Sequence, residues 1–273
     1  MNIKTITLAA VDIVPALGQG TWYLGDDPAK RAQEVSALRT GMGAGMRLID
    51  TAEMYGDGRS EKLVGEAIAT APREELFLVS KVLPENAGEK HIFRCCDATM
   101  KRMGVDYLDL YLLHWRGSVP LAETVRCLEQ LKELGKIKNW GVSNFDIGDM
   151  EELWRIPQGR NCQVNQVLYH MGSRGIEYSL LPWMREHQVA LMAYCPLAQG
   201  GALRRGLLNN PAVLAVAEKH HSTPIQVLLA WCIRDGHTIA IPRTGHPDHT
   251  LENAGANALL LDEEDLARID RQY

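Results

Sequence analysis

Apolar positions along this chain come in short runs, and each run is followed by a stretch in which they recur every three or four residues. PALGQGT (15–21) leads into an amphipathic stretch over 29–44. RLIDTA (47–52) leads into SEKLVGEAIAT, where Leu63, Val64, Ala67 and Ile68 share one helical face. LFLVSKV (76–82) precedes a helical segment over 88–103. YLDLYLLH (107–114) precedes 121–134, in which Leu121, Val125, Leu128 and Leu131 follow one another at helical spacing. NWGVSN (139–144) leads to 146–154, CQVNQV (162–167) to 176–188, VALMAY (189–194) to helical stretches over 211–235, and TIAIPR (238–243) to 248–257. Strands that alternate with helices form a parallel sheet through crossover connections. Eight alternations in 273 residues predict closure into a (β/α)8 TIM barrel, an α/β architecture of about 250 residues, rather than an open sheet. Before the first alternation, ITL (6–8) and DIVP (12–15) read as the arms of a β-hairpin. No linker, low-complexity segment or repeat interrupts the pattern, so residues 1–273 read as a single domain.

Composition narrows the partners. Hydrophobic residues make up 46% of the chain and charged residues 23%, as in ordinary globular proteins. A net charge of −5 argues against a nucleic-acid surface or a polybasic membrane anchor, while leaving room for one small basic pocket. The cysteines Cys95, Cys96, Cys127, Cys162, Cys195 and Cys232 form no CxxC pair. A core of this size needs no disulfide staples, so they read as reduced thiols of a cytoplasmic protein. Asp12 and Pro15 interrupt the apolar start of the chain, which argues against a signal peptide. No apolar run reaches the ~18 residues that cross a bilayer. GMGAG (41–45) has the glycines of a dinucleotide-binding loop but sits after a helix and before a strand, the reverse of the order such a loop needs; it reads as a helix terminus. His220 and His221 read as helix-surface residues, since no HExxH or CxxC supplies metal partners.

Barrel active sites lie at the C-terminal ends of the strands. The polar residues there are Asp50, Lys81, His114, the pair Ser143 and Asn144, the pair Asn165 and Gln166, Tyr194, and Arg243. Side chains two apart on a strand face the same way. Leu48 and Asp50, Val79 and Lys81, and Leu112 and His114 therefore form three columns, each topped by a polar group. A lone acid or histidine at a strand end is ordinarily a polar terminus. A lysine inside a strand is harder to explain, because an isolated buried ammonium loses its proton; Asp50 on the adjacent strand is the obvious anion. With Tyr55 in the loop after Asp50, the set suits carbonyl reduction. Tyr55 would donate a proton, a neighbouring Lys81 would lower its pKa, Asp50 would keep Lys81 charged, and His114 would hydrogen-bond a carbonyl oxygen as it gains charge. A hydride source is missing, so a cofactor is required. A glycosidase is excluded because no second carboxylate tops a neighbouring strand.

The chain resembles the aldo-keto reductases over essentially its whole length, through GQGTW (18–22), LIDTAEMYG (48–56), VSK (79–81), YLDLYLLHW (107–115), GKIKNWGVSN (135–144), NQVLYH (165–170), AYCPLAQGG (193–201) and IPRTGHPDHTLEN (241–253), in family order. Within the family it looks most similar to bacterial small aldehyde and methylglyoxal reductases. The resemblance implies a TIM barrel whose base is closed by the hairpin at 5–14. It implies NADPH bound across the barrel mouth, with NADH more weakly, and reduction of aldehydes (2-oxoaldehydes such as methylglyoxal, and aromatic aldehydes) and some ketones. By position Tyr55 is the proton donor, Asp50 and Lys81 tune it, and His114 orients the carbonyl. Ser143, Asn144 and Gln166 fall where the family holds the nicotinamide carboxamide, and Tyr194 where a ring stacks on the nicotinamide. Gly20, Thr21, Trp22 and Asp50 also border the cofactor. Cys195, Pro196, Leu197 and Gln199 would line the pyrophosphate. Ile241, Pro242, Arg243, Thr244, His249, Glu252 and Asn253 would surround the adenosine 2′-phosphate and adenine. Trp22, Met54 and Trp115 would wall the substrate pocket. No metal is implied, and a monomer is the default expectation.

Three positions depart from the family pattern. Arg243 stands where many members have lysine, and its forked guanidinium suits a phosphate. His249 stands where many have a second arginine, which puts selectivity for NADPH over NADH in question. Cys195 replaces a common serine. The chain also ends at Tyr273, short of the longer C-terminal loop of members with narrow substrate choice, so an open site and a broad substrate range are expected. The alternative on the same barrel is a non-catalytic, cofactor-sensing binding subunit.

Overall fold

The computed structural model describes residues 3–9 and 13–272. The hairpin pairs β1 (Thr5–Thr7) with β2 (Ile13–Pro15) in antiparallel register, Ile6 opposite Val14. Residues 10–12, Asp12 among them, lie outside the described residues. Ile6, Leu8 and Val14 are buried. A small cavity lined by Ile6 and Leu8 from the hairpin, and by Ala190 and His237 from the starts of the last two strands, places the hairpin against the N-terminal end of the barrel.

The barrel strands are β3 (Gln19–Gly20), β4 (Leu48–Asp50), β5 (Phe77–Val82), β6 (Leu108–Leu113), β7 (Ile137–Ser143), β8 (Val164–Leu168), β9 (Ala190–Tyr194) and β10 (Thr238–Ile241). Each pairs in parallel with the next in chain order. The ring closes between last and first: Gly18 N donates to the Ala240 carbonyl (2.9 Å), Ala240 N to that of Ala16 (2.8 Å) and Gly20 N to that of Pro242 (3.0 Å). This seam explains a glycine of the GQGTW stretch, since a Cβ on Gly20 would lie 2.8 Å from the Ile241 carbonyl oxygen. Every residue of β5 and β6 is buried, as expected of parallel strands covered on both faces.

The helices follow the predicted alternation: α1 (Arg31–Gly43), α2 (Arg59–Ile68), α3 (Ile92–Met103), α4 (Leu121–Glu133), α5 (Ile147–Arg155), α6 (Leu180–Glu186), α7 (Gly201–Leu208), α8 (Pro211–Lys219), α9 (Pro224–Cys232), α10 (Pro247–Ala254) and α11 (Glu263–Asp270). The apolar faces read on α2 and α4 are the buried ones. Residues 41–45 do end α1, with Gly45 at φ +91. The helical stretches read over 211–235 are α8 and α9, separated where Thr223 and Gln226 cap a new helix whose first residue is Pro224. Two helices, α7 and α11, lack a strong sequence signal. Leu207 is the sole buried residue of α7, and α11 is a short helix opened by the Asp262–Asp265 capping box. His220 is not a free surface group: its Nε2 lies 2.6 Å from Asp265 on α11. All six cysteines are free thiols. Among the described residues, no helix is long and apolar enough to cross a membrane.

Candidate active site

The end of β4 is set by its neighbours. Thr51 N still pairs with the Val79 carbonyl (2.9 Å) and Glu53 N with that of Lys81 (3.3 Å), so the chain leaves the sheet directly above Lys81. It then turns tightly, with Tyr55 N donating to the Ala52 carbonyl (3.0 Å) and with Gly56, Asp57 and Gly58 in the left-handed region. The turn is anchored by Ser60, whose hydroxyl donates to Thr21 (2.8 Å to its Oγ1), while Thr21 Oγ1 donates to the Asp50 carbonyl (2.9 Å). The LIDTAEMYG stretch thus carries a phenol from beside one strand to a fixed place over the next.

Lys81 is 0% exposed and Asp50 2%. Lys81 Nζ donates to Asp50 Oδ1 (2.8 Å), to the Thr51 carbonyl (2.8 Å) and to the Tyr55 hydroxyl (3.1 Å). An ammonium has three hydrogens and no acceptor site. All three are used, and the Tyr55 oxygen is on the accepting side. The phenol's own hydrogen is therefore left to point away from Lys81. Burial alone would push the Lys81 pKa down, but Asp50 and Tyr55 outweigh it and hold it above the ordinary lysine value. For Tyr55 the balance differs from the sequence expectation. Lys81 does pull the phenol's pKa down, but burial outweighs that and the net shift is upward. Tyr55 is therefore fully protonated at neutral pH, the state a proton donor needs.

His114 stands edge-on to Tyr55, ring centroids 5.7 Å apart, and beside Trp115 at 4.6 Å. It is 8% exposed. Burial, with Lys81 adding to it, pushes its pKa down to about 3, so the ring is neutral. Its Nδ1 is buried without a hydrogen-bond partner. A hydrogen on Nε2 avoids burying an unpaired N–H there and leaves His114 a donor through Nε2. A stability consequence follows by linkage. Between the ordinary histidine value of 6.5 and about 3, the unfolded chain binds this proton and the folded one does not, so stability falls as pH drops through that window. Thermal midpoints measured against pH should fall less steeply for His114→Gln than for the wild type, and identical slopes would rule out a buried neutral His114.

These groups line one cleft of ≈ 710 Å³ at the C-terminal ends of the strands. All the residues singled out in the sequence line it except Lys81, which lies beneath its floor, and Asn165, which is fully buried with its Nδ2 donating to the Phe145 carbonyl (3.0 Å). Trp22, Met54 and Trp115 wall the Tyr55 end; Trp22 stacks on Tyr23 at 4.5 Å. Further along, Tyr194 OH donates to Asn144 Oδ1 (3.0 Å), and Asn144 Nδ2 donates to the His114 carbonyl (3.1 Å) and Ser143 Oγ (3.2 Å). Gln166 reaches across to Asp50. Beyond Cys195 and Gln199 the cleft runs to Arg243, Thr244, His249, Glu252 and Asn253. Cys195 remains a neutral thiol, its pKa pushed up by burial. Tyr23, Asn144, Cys195 and Ala198 all have left-handed backbones, strain of the kind that gathers at functional sites. The cleft also includes Tyr23, Ala198, Arg204, Ile225, Gly245 and His246, which sequence reasoning missed. Adjacency to Trp22 and His249 could have suggested Tyr23 and His246. Nothing in the sequence ties Arg204 or Ile225, on α7 and α9, to the mouth.

The donor set fits a dinucleotide with an anionic end. Among the described residues, Arg243 faces no carboxylate at ion-pair distance; its guanidinium sits 5.8 Å from the Tyr23 ring. The half-buried Tyr194 ring and the amides of Asn144 and Gln166 border the other end.

The model of the Aldo/keto reductase family matches residues 16–273. Methylglyoxal reductase YeaE of Escherichia coli is 51% identical over 273 residues, covering 100% of this chain and 96% of the relative. Glyoxal reductase of Bacillus subtilis is 35% identical over 240 residues, covering 87% and 83%. Among solved structures, an aldo/keto reductase from Klebsiella pneumoniae in complex with NADP and acetate superposes with a TM-score of 0.96 at 49% identity, covering 99% of this chain and 95% of that one.

Proposed function

The chain belongs to the aldo/keto reductase family of NAD(P)H-dependent oxidoreductases, and from that premise we propose that it reduces small aldehydes to alcohols with NADPH, Tyr55 delivering the proton. The observation that carries this reading is the Lys81 contact set: three donors fully used, with the Tyr55 phenol accepting one of them and keeping its own hydrogen for the cleft. NADPH, when bound, supplies the two electrons for the carbonyl carbon. The protein's part is to hold the carbonyl and manage charge on its oxygen. His114, neutral and beside Tyr55, donates a hydrogen bond to that oxygen. Tyr55 protonates it as negative charge develops, and Lys81 steadies the resulting phenolate. Asn144, Ser143 and Gln166 would hold the nicotinamide amide, the Tyr194 ring would cover the nicotinamide, and Arg243 with Thr244 would hold the 2′-phosphate.

The substrate end offers two tryptophans and a methionine and no unpaired charge, which suits short uncharged carbonyl compounds. Two relatives named for methylglyoxal and glyoxal favour 2-oxoaldehydes, and the exposed Trp22 and Met54 leave room for aromatic aldehydes and some ketones. A panel of both classes, compared by kcat/KM with NADPH, tests this. Turnover confined to charged sugars would contradict it.

Arg243→Ala should raise KM for NADPH about tenfold or more while leaving that for NADH nearly unchanged, because a forked guanidinium–phosphate contact exists only for the former. Equal changes for both cofactors would show that Arg243 does not read the 2′-phosphate.

A further inference from the structure

Gln166 is bound to Asp50, not left open to the cleft. Its Nε2 lies 2.8 Å from Asp50 Oδ2 and 2.8 Å from Met192 Sδ. A carboxylate only accepts, and a thioether only accepts weakly, so the nitrogen must be the atom facing them and both its hydrogens are committed. Only Oε1 remains for any ligand. The other oxygen of Asp50 receives Lys81, and Lys81 donates to Tyr55. The line continues behind Gln166, whose backbone carbonyl accepts from Ser143 Oγ (2.8 Å), which in turn accepts from Asn144. We propose that Gln166 is a positioning residue for proton delivery: its amide fixes the Asp50 carboxylate so that Oδ1 stays on Lys81, and Lys81 thereby stays on Tyr55. This rests on the reductase reading above. It assigns Gln166 a task beyond holding the cofactor amide, because Nε2 is committed to Asp50 and Met192 and only Oε1 is left to face a ligand.

The physical reason is specific. Asp50 is buried and carries a full charge that two neighbours share. Without the Gln166 donor, one carboxylate oxygen is left bare in the interior, and the group is free to turn toward whatever donor remains.

Two substitutions separate this role from cofactor binding. Gln166→Glu keeps the shape and the accepting oxygen but loses the N–H donors. Gln166→Met keeps approximate size and loses both functions. At neutral pH the Gln166→Glu variant should show kcat about 10- to 100-fold below wild type, the scale of a lost hydrogen bond to a charged group. Its kcat relative to wild type should recover from about pH 8 toward about pH 5, as the introduced carboxyl gains a proton and donates it to Asp50 Oδ2 in place of the amide. Gln166→Met should stay low across that range. NADPH affinity is read separately from tryptophan fluorescence. A Gln166→Glu variant with wild-type kcat at all pH, and only its NADPH affinity changed, would overturn the proposal and leave Gln166 a cofactor ligand.

Thermal unfolding gives a readout independent of turnover. The deficit of Gln166→Glu against wild type should grow as pH rises and two buried carboxylates come to face each other. A deficit that does not change with pH would overturn the Gln166–Asp50 contact even if the protein reduced no aldehyde, and absent turnover in the wild type would overturn only the reductase reading.

Discussion

Replacing Tyr55 with phenylalanine lowers kcat for aldehyde reduction by about two to four orders of magnitude, the scale on which a positioned general acid contributes. The expectation comes from which hydrogens are spoken for. Lys81 uses one of its three on the Tyr55 oxygen at 3.1 Å, so the phenol accepts there and donates elsewhere. Burial raises the phenol's pKa and keeps it protonated, while the adjacent ammonium stabilises the phenolate formed once the proton has left. Phenylalanine preserves the ring packing against His114 and Trp22, at 5.7 and 6.4 Å, and removes only the hydroxyl. The fold should therefore persist at a stability cost of about 1–2 kcal/mol for the Lys81 hydrogen left unpaired. NADPH affinity, measured by fluorescence, should change little. Turnover near the wild-type rate in this variant would take Tyr55 out of the mechanism.

Lys81→Met carries the second-largest effect, and it falls on stability as well as rate. Asp50 would remain in the interior with Gln166 as its remaining side-chain partner among the contacts seen. Removing one member of a buried ion pair costs about 3–5 kcal/mol, because the other charge stays buried and uncompensated. The thermal midpoint should drop markedly, and kcat should fall because nothing then holds or stabilises the phenolate. The double variant Lys81→Met with Asp50→Leu removes both charges together. It should recover much of the lost thermal midpoint and none of the lost turnover. A single variant as stable as wild type would mean that Asp50 and Lys81 are not a coupled buried pair.

Most of this arrangement is written in local sequence pattern. The eight alternations give the strands because a barrel strand buried on both faces is a short apolar run, and the helices show their buried face at helical spacing. Asp50, Lys81 and His114 could be brought to one mouth from period two alone, since each tops a column begun by an apolar residue. The lysine was the sharpest signal, because a strand interior has no other use for an ammonium. What stayed hidden depends on contacts between distant segments. Gln166 and Asp50 are 116 residues apart, and only barrel closure sets them face to face. The net direction of the Tyr55 shift depends on how deeply the phenol is buried, which a neighbouring charge read from sequence does not reveal. Arg204 and Ile225 reach the cleft because α7 and α9 fold over the mouth, and α7 buries too little apolar surface to announce itself.

This cleft either performs chemistry or only holds a dinucleotide. The direct measurement is the loss of NADPH absorbance when the wild-type protein is mixed with methylglyoxal at neutral pH, alongside NADPH binding followed by tryptophan fluorescence. The geometry predicts binding together with steady, stoichiometric consumption of NADPH and aldehyde, abolished in large part by Tyr55→Phe. Tight NADPH binding without turnover of methylglyoxal or any other aldehyde would contradict it and mark the chain as a cofactor-sensing subunit instead.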